Sequence, residues 1–139
     1  NETERAKESP YDFCYFVLTD DRKLLYDRIN LRVDQMVQDG LLEEVQSLKE
    51  RGYTKDMVSM QGLGYKEVLD YLDGNCALEE AVYILKRDTR HFAKRQLTWF
   101  RRERDVIWID KSQYDHNEAK VVDVMITKIQ ERIPYICLK

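Results

Sequence analysis

The chain is predicted to be an α/β, predominantly helical fold with two strands in a parallel sheet and about five helices. Three observations lead there. Residues 13–19 (FCYFVLT) and 106–110 (VIWID) are short runs dense in branched and aromatic side chains, the pattern of strands covered on both faces. The stretch between them carries apolar residues at helical spacing, so a helical crossover can bring the two strands side by side in parallel. At 139 residues, 43% hydrophobic and 35% charged, the chain has the size and composition of one globular domain with a real core.

Each element follows from local chemistry. Residues 1–12 are a polar lead-in to the first strand, after which Asp20 or Asp21 offers a cap for a helix over about 21–38. Leu25, Ile29, Val33, Met36 and Val37 give that helix its apolar stripe, and Gly40 can end it in the left-handed conformation. A second helix over about 41–50 places Leu42, Val45 and Leu48 on one face and closes at Gly52. A third, short helix spans 65–72, with Asp73-Gly74-Asn75 as a turn behind it. The longest helix covers 78–102. At 100° per residue, Val82, Leu85, Thr89, Phe92, Ala93, Gln96 and Phe100 fall on a core face, opposite Arg87, Arg90, His91, Lys94, Arg95, Thr98, Arg101 and Arg102. Ala77 cannot cap this helix and Asn75 can stand in for it. Val122, Met125, Ile126, Ile129 and Ile133 mark a final amphipathic helix.

Composition excludes several classes of function. No run approaches the roughly 20 apolar residues of a membrane span, and the charged opening NETERAKESP is unlike a signal peptide, so a cytoplasmic protein without membrane contact is predicted. Cys14, Cys76 and Cys137 are odd in number and widely spaced, which suits reduced, mostly buried thiols rather than a zinc or disulfide framework. His91 and His116 are too far apart for a His-based metal cluster, and no Ser/His/Asp arrangement is evident. An opening on Asn rather than Met suggests a piece of a longer protein, and so uncapped strand edges through which the fragment can self-associate.

Three constellations remain. The stretch QGLGYKEV (Gln61, Gly62, Leu63, Gly64, Tyr65, Lys66 and onward) puts two glycines before a helix start, a modest anion site with Lys66 in the first turn. It satisfies neither G-x-x-x-x-G-K-[ST] nor G-x-G-x-x-G, and it reads equally as a glycine turn where two helices pack closely. The net charge of −3 hides a local excess, since residues 86–104 hold eight Lys or Arg against two acids. That face suits a nucleic acid, with Trp99 at its margin to stack on a base, or else acidic helices of the same fold. Arg28 and Arg32, four apart, can clamp a diphosphate or make an ion pair with Asp27 or Glu44.

Taken together, SPYDFCYFVLTDDR, LLYDRINLRVDQMVQDGLLEEVQSLKERG, QGLGYKEVLDYLDG, TRHFAKRQLTWFRR and VIWID resemble the tRNA dimethylallyltransferases, or tRNA isopentenylpyrophosphate transferases. The likeness covers nearly the whole chain. It implies the C-terminal part of a P-loop-kinase-like fold, belonging to a monomeric enzyme that uses magnesium to move a dimethylallyl group from dimethylallyl diphosphate to the exocyclic amine of the adenosine 3′ of the anticodon. On this resemblance Arg32 contacts the donor's diphosphate. The turn from Gln61 to Lys66 and the stretch Lys94, Arg95, Gln96, Thr98, Trp99 and Arg101, with Arg90 on the same basic face, contact the tRNA anticodon stem-loop. The P-loop, the catalytic Asp and Thr and the magnesium ligands would lie upstream of Asn1, so residues 13–139 would be a C-terminal portion inactive by itself.

Overall fold

The computed structural model describes residues 10–135. It divides into two compact units: residues 22–99 form one, and the flanking stretches up to 21 and from 100 onward form the other.

The 22–99 unit is helical. It holds α1 (Arg22–Gln38), α2 (Leu41–Glu50), a 3-10 turn (Val58–Gln61), α3 (Tyr65–Leu72) and α4, which runs Leu78–Phe100. Gly40 joins α1 to α2 with φ 103° and ψ 24°, the left-handed geometry that glycine adopts without penalty. Val33, Leu41, Val45, Met60, Val68, Leu69 and Leu85 form its buried core, so every element of this unit contributes at least one anchor. Lys49 fastens the end of α3, with Nζ 2.9 Å from the Leu72 carbonyl and 2.6 Å from Asp73 Oδ1, as suits a cation at a helix C-terminus.

The long helix starts at Leu78 as expected, but its expected cap and its far end differ. Asn75 serves α3, its N–H donating to the Asp70 carbonyl at 2.9 Å, while α4 opens on Ala77 with no side-chain cap and Glu79 and Glu80 in its first turn. These acids offset the helix dipole where a cap is lacking. At its other end α4 stops at Phe100 rather than 102, because the Glu103 N–H turns back to the Phe100 carbonyl.

The second unit contains β1 (Tyr15–Thr19), β2 (Val106–Asp110), a 3-10 turn (Lys111–Tyr114) and α5 (Glu118–Arg132). The strands pair in parallel as predicted, in register from Tyr15 with Val106 to Thr19 with Asp110. β1 begins at Tyr15 rather than 13, and Phe13 instead lies beneath Arg132, whose guanidinium carbon is 5.7 Å from its ring centre. Cover on both faces is not what the strands have. Val17 and Ile109 are buried, but Leu18 is 50% and Trp108 39% exposed, since among the described residues each strand has one neighbour. Before α5, Asp115 and His116 both take positive φ, at 55°. Contacts hold them there: Lys120 Nζ lies 2.7 Å from Asp115 Oδ2, and His116 Nε2 lies 2.7 Å from the buried Asp20 Oδ1.

Cys14 and Cys76 are free, half-buried thiols, while Cys137 lies outside the described residues. Partial burial, reinforced by the nearby Glu80 and Asp70, pushes the Cys76 thiol up and keeps it protonated.

One ion pair makes stability pH-dependent. Lys55 Nζ lies 2.5 Å from Asp70 Oδ1 and ties the loop after α2 to α3. That hydrogen bond holds the Asp70 carboxyl below the usual carboxylate range. A carboxyl depressed by folding stabilises above its ordinary pKa of about 3.9 and loses that contribution as pH falls through the folded value. Asp70→Asn should therefore lower the melting temperature at pH 7 by a small amount, and by less at pH 3. Equal deficits at both values would remove the pair from the stability balance.

Candidate nucleic-acid interface

The cations of α4 fall into two groups. Around its middle, Lys86 Nζ lies 2.5 Å from Asp34 Oδ1, Arg87 Nε donates to Asp88 Oδ1 at 2.8 Å, and Arg90 donates to Asn30 Oδ1 at 2.5 Å. Asp34 and Asn30 belong to α1, so two of these contacts fasten helix to helix. In the second half Lys94 and Arg95 are exposed and form no ion pair among the described residues, and the same holds for Arg101 just past the helix end. Gln96 and Thr98 share this exposure, with the Thr98 hydroxyl donating back to the Lys94 carbonyl, and Trp99 is half exposed. Of the basic residues the sequence brings forward, Arg90 is thus engaged in packing, whereas Lys94, Arg95 and Arg101 keep their charge available.

The core face of α4 differs from the one read off the wheel. Ala81 and Leu85 are buried and Thr89, Ala93 and Leu97 half-buried, an i, i+4 row, while Phe92 and Gln96 are exposed. A row of residues four apart winds slowly around the helix, so its inner line leaves the straight stripe after two turns.

The turn before α3 is built around a charge of its own. Gln61 and Gly62 are exposed, Leu63 packs on the core, and Gly64 is buried with φ 102° and ψ −50°. A Cβ added to Gly64 would meet the Leu41 methyls and Met36 Cε at 3.9 Å, so space would permit it, but the positive φ strains any larger residue. The Gly64 N–H donates to Glu67 Oε2 at 2.8 Å, and Glu67 is only 3% exposed. Its second oxygen makes no hydrogen bond; the Lys66 ammonium, 3.3 Å away, supplies the opposing charge and stands 3.7 Å from Asp88 as well. The Tyr65 hydroxyl donates to Glu44. An internal carboxylate therefore occupies the positive end of α3, where the sequence suggested an outside anion. What this turn offers a partner is Gln61, Gly62 and the partly exposed Lys66 side chain. Glu67 escaped the sequence reading, although an acid in the third position of a helix is a recognisable capping signal.

Arg28 and Arg32 line a cleft of about 610 Å³ on α1 with Leu31, Gln35, Met36 and Asp39. Neither ion pair anticipated for Arg32 forms: Asp27 lies against Lys23, and Glu44 takes the Tyr65 hydroxyl. Arg32 is exposed with no ion pair among the described residues, and Met36 lines the same cleft. Cation and apolar wall together suit a ligand with an anionic head and a hydrocarbon part.

Comparison with known proteins places the chain in a family. A family model described as IPP transferase matches residues 1–103. The chain is 58% identical over 132 residues to the tRNA dimethylallyltransferase of Lachnoclostridium phytofermentans, covering 95% of this chain and 42% of that protein. It is similar to the solved full-length tRNA isopentenylpyrophosphate transferase of Bacillus halodurans, at 46% identity and a TM-score of 0.78 over 94% of this chain and 44% of that one. The Staphylococcus epidermidis tRNA delta(2)-isopentenylpyrophosphate transferase gives 40% identity and a TM-score of 0.81, covering 89% and 40%. The chain thus spans about two fifths of the length of the curated relative it matches. A match that runs from the first residue through the exposed cations of α4, together with two solved structures of like fold, makes this chain a member of the IPP transferase family.

Proposed function

We propose that this chain works as the C-terminal part of a cytoplasmic tRNA dimethylallyltransferase, holding the anticodon stem-loop and contributing one arginine to the prenyl donor. The observation that carries the reading is the division of α4: its first cations are engaged in the fold, while Lys94 and Arg95 stand exposed without acidic partners among the described residues. With Gln96, Thr98, Trp99 and Arg101 they supply the phosphate-binding surface, joined by Gln61 to Lys66 at the turn. Arg90, bonded to Asn30, supports that surface from behind.

In the reaction, the adenine amine bonds to the first carbon of the dimethylallyl group as the carbon–oxygen bond to the diphosphate breaks. The diphosphate leaves with the electron pair and the amine gives up a proton. Arg32 meets the charge that grows on that leaving group, where a fixed cation acts more strongly on the transition state than on the bound donor. Magnesium would assist the same charge, yet among the described residues no group of three or more His, Cys, Asp or Glu could hold a metal ion. Its ligands are not assigned to these residues.

The RNA surface is tested by titrating a labelled anticodon stem-loop with the chain at two salt concentrations. Lys94→Ala and Arg101→Ala should each weaken binding and flatten the slope of log affinity against log salt by about one unit. Helicity should stay at the parent value, because both side chains are exposed. Binding by the parent chain that does not respond to salt would overturn this assignment.

A further inference from the structure

Part of the side of α4 that helical spacing would bury is exposed. Phe92 is 44% and Trp99 49% exposed. Seven residues is close to two turns, so both project from one side of the helix. Arg95 lies between them along the chain, its guanidinium carbon 5.9 Å from the centre of the Phe92 ring. A phenyl ring that the core does not use thus backs a cation that no carboxylate neutralises among the described residues.

We infer that Phe92, Arg95 and Trp99 form a stacking strip for the unpaired bases of an RNA loop. Phe92 positions the Arg95 guanidinium, a base lies on the guanidinium, and Trp99 receives a second base. Flat, cationic and aromatic groups in one strip fit single-stranded nucleic acid, since every base presents a π face and every linkage an anionic phosphate. A duplex fits poorly, because its base faces are hidden. The rings stand about 10.5 Å apart along the helix, against about 3.4 Å between stacked neighbours, so they hold separate bases. This inference rests on the RNA-binding reading above and extends it to Phe92.

The experiment compares the chain with its Phe92→Ala, Phe92→Leu and Arg95→Lys variants. Binding is followed by fluorescence anisotropy on a labelled anticodon stem-loop and on a fully paired RNA duplex of equal length. Each variant should bind the stem-loop about 5- to 10-fold more weakly, with an unchanged salt slope because no cation is lost. Duplex binding should stay within about twofold, since no base face is offered there. Phe92→Ala combined with Arg95→Lys should be little worse than either alone. The leucine variant keeps apolar bulk without a π face, so it decides the matter if the alanine variant loses helicity. Full affinity in the leucine variant, equal loss on duplex and loop, additive losses, or loss of helicity in both Phe92 variants would each overturn the inference. If the parent chain binds the stem-loop without salt sensitivity, the RNA-binding reading falls with it. Salt-sensitive parent binding beside an unaffected leucine variant overturns the stacking strip alone.

Discussion

Replacing Arg32 with alanine is expected to lower kcat/KM for prenyl transfer by about 100- to 1,000-fold, the usual cost of removing one preorganised donor from a developing anion. The measurement uses a chimera in which this chain replaces the matching segment of the Bacillus halodurans enzyme, to which it is 46% identical. Stem-loop affinity should stay within about twofold, because a group acting on the transition state leaves the binding of the other substrate alone. The fold should also survive, since Arg32 is exposed and forms no ion pair among the described residues. Arg32→Lys should recover part of the rate: it keeps the charge but loses the planar fork that grips two oxygens at once. Equal damage to tRNA affinity would move Arg32 to the RNA side, and an unchanged rate would remove it from the reaction. The cleft gives this test its edge. Leu31 and Met36 beside Arg32 offer apolar wall to a hydrocarbon group, so a donor with a shorter prenyl chain should discriminate their contribution from that of the arginine.

How far the sequence carried depended on whether the deciding chemistry was local. The bounds of α3 and β2 were legible to the residue, because α3 is framed by Gly64 and the Asp73-Gly74 turn and β2 is a run of branched residues between charges. The line buried along α4 was not legible, because the row of side chains that packs is set by the angle at which neighbouring helices cross. Hence Phe92, assigned inward by periodicity, is exposed while Leu97 is half-buried. The division of the basic face was hidden for a related reason. Arg90 meets Asn30, sixty residues earlier in the chain, and Lys86 meets Asp34, so which cations are neutralised is a tertiary fact. The pairing of His116 with Asp20, 96 residues apart, belongs to the same class. Glu67 was signalled locally, as the acid at the third helical position that accepts from the Gly64 N–H.

That acid makes the second large effect a matter of stability. Glu67→Ala should destabilise the 22–99 unit by about 1–3 kcal/mol, the cost of leaving a buried donor such as the Gly64 N–H without its acceptor. Glu67→Gln should cost less. Its amide oxygen still accepts from Gly64, while the charge facing Lys66 is lost from a pair 3.3 Å apart. Gly64→Ala should also cost about 1–3 kcal/mol, because φ near 102° is held by force in any residue with a Cβ. Urea unfolding followed by circular dichroism measures all three. The double variant Gly64→Ala with Glu67→Ala should fall short of the summed losses, since both changes release one turn. Additive losses would mean that the hydrogen bond and the backbone geometry are independent. The consequence reaches past stability, because a Cβ added at Gly64 would come within 3.9 Å of Met36 Cε, and Met36 lines the same cleft as Arg32. A turn that relaxes in Gly64→Ala should therefore loosen the wall of the Arg32 cleft, and on the donor role proposed for that cleft the chimera carrying it should show a raised KM for the prenyl donor at a temperature where it is still folded. An unchanged donor KM would confine the role of Glu67 and Gly64 to holding the turn before α3 in place.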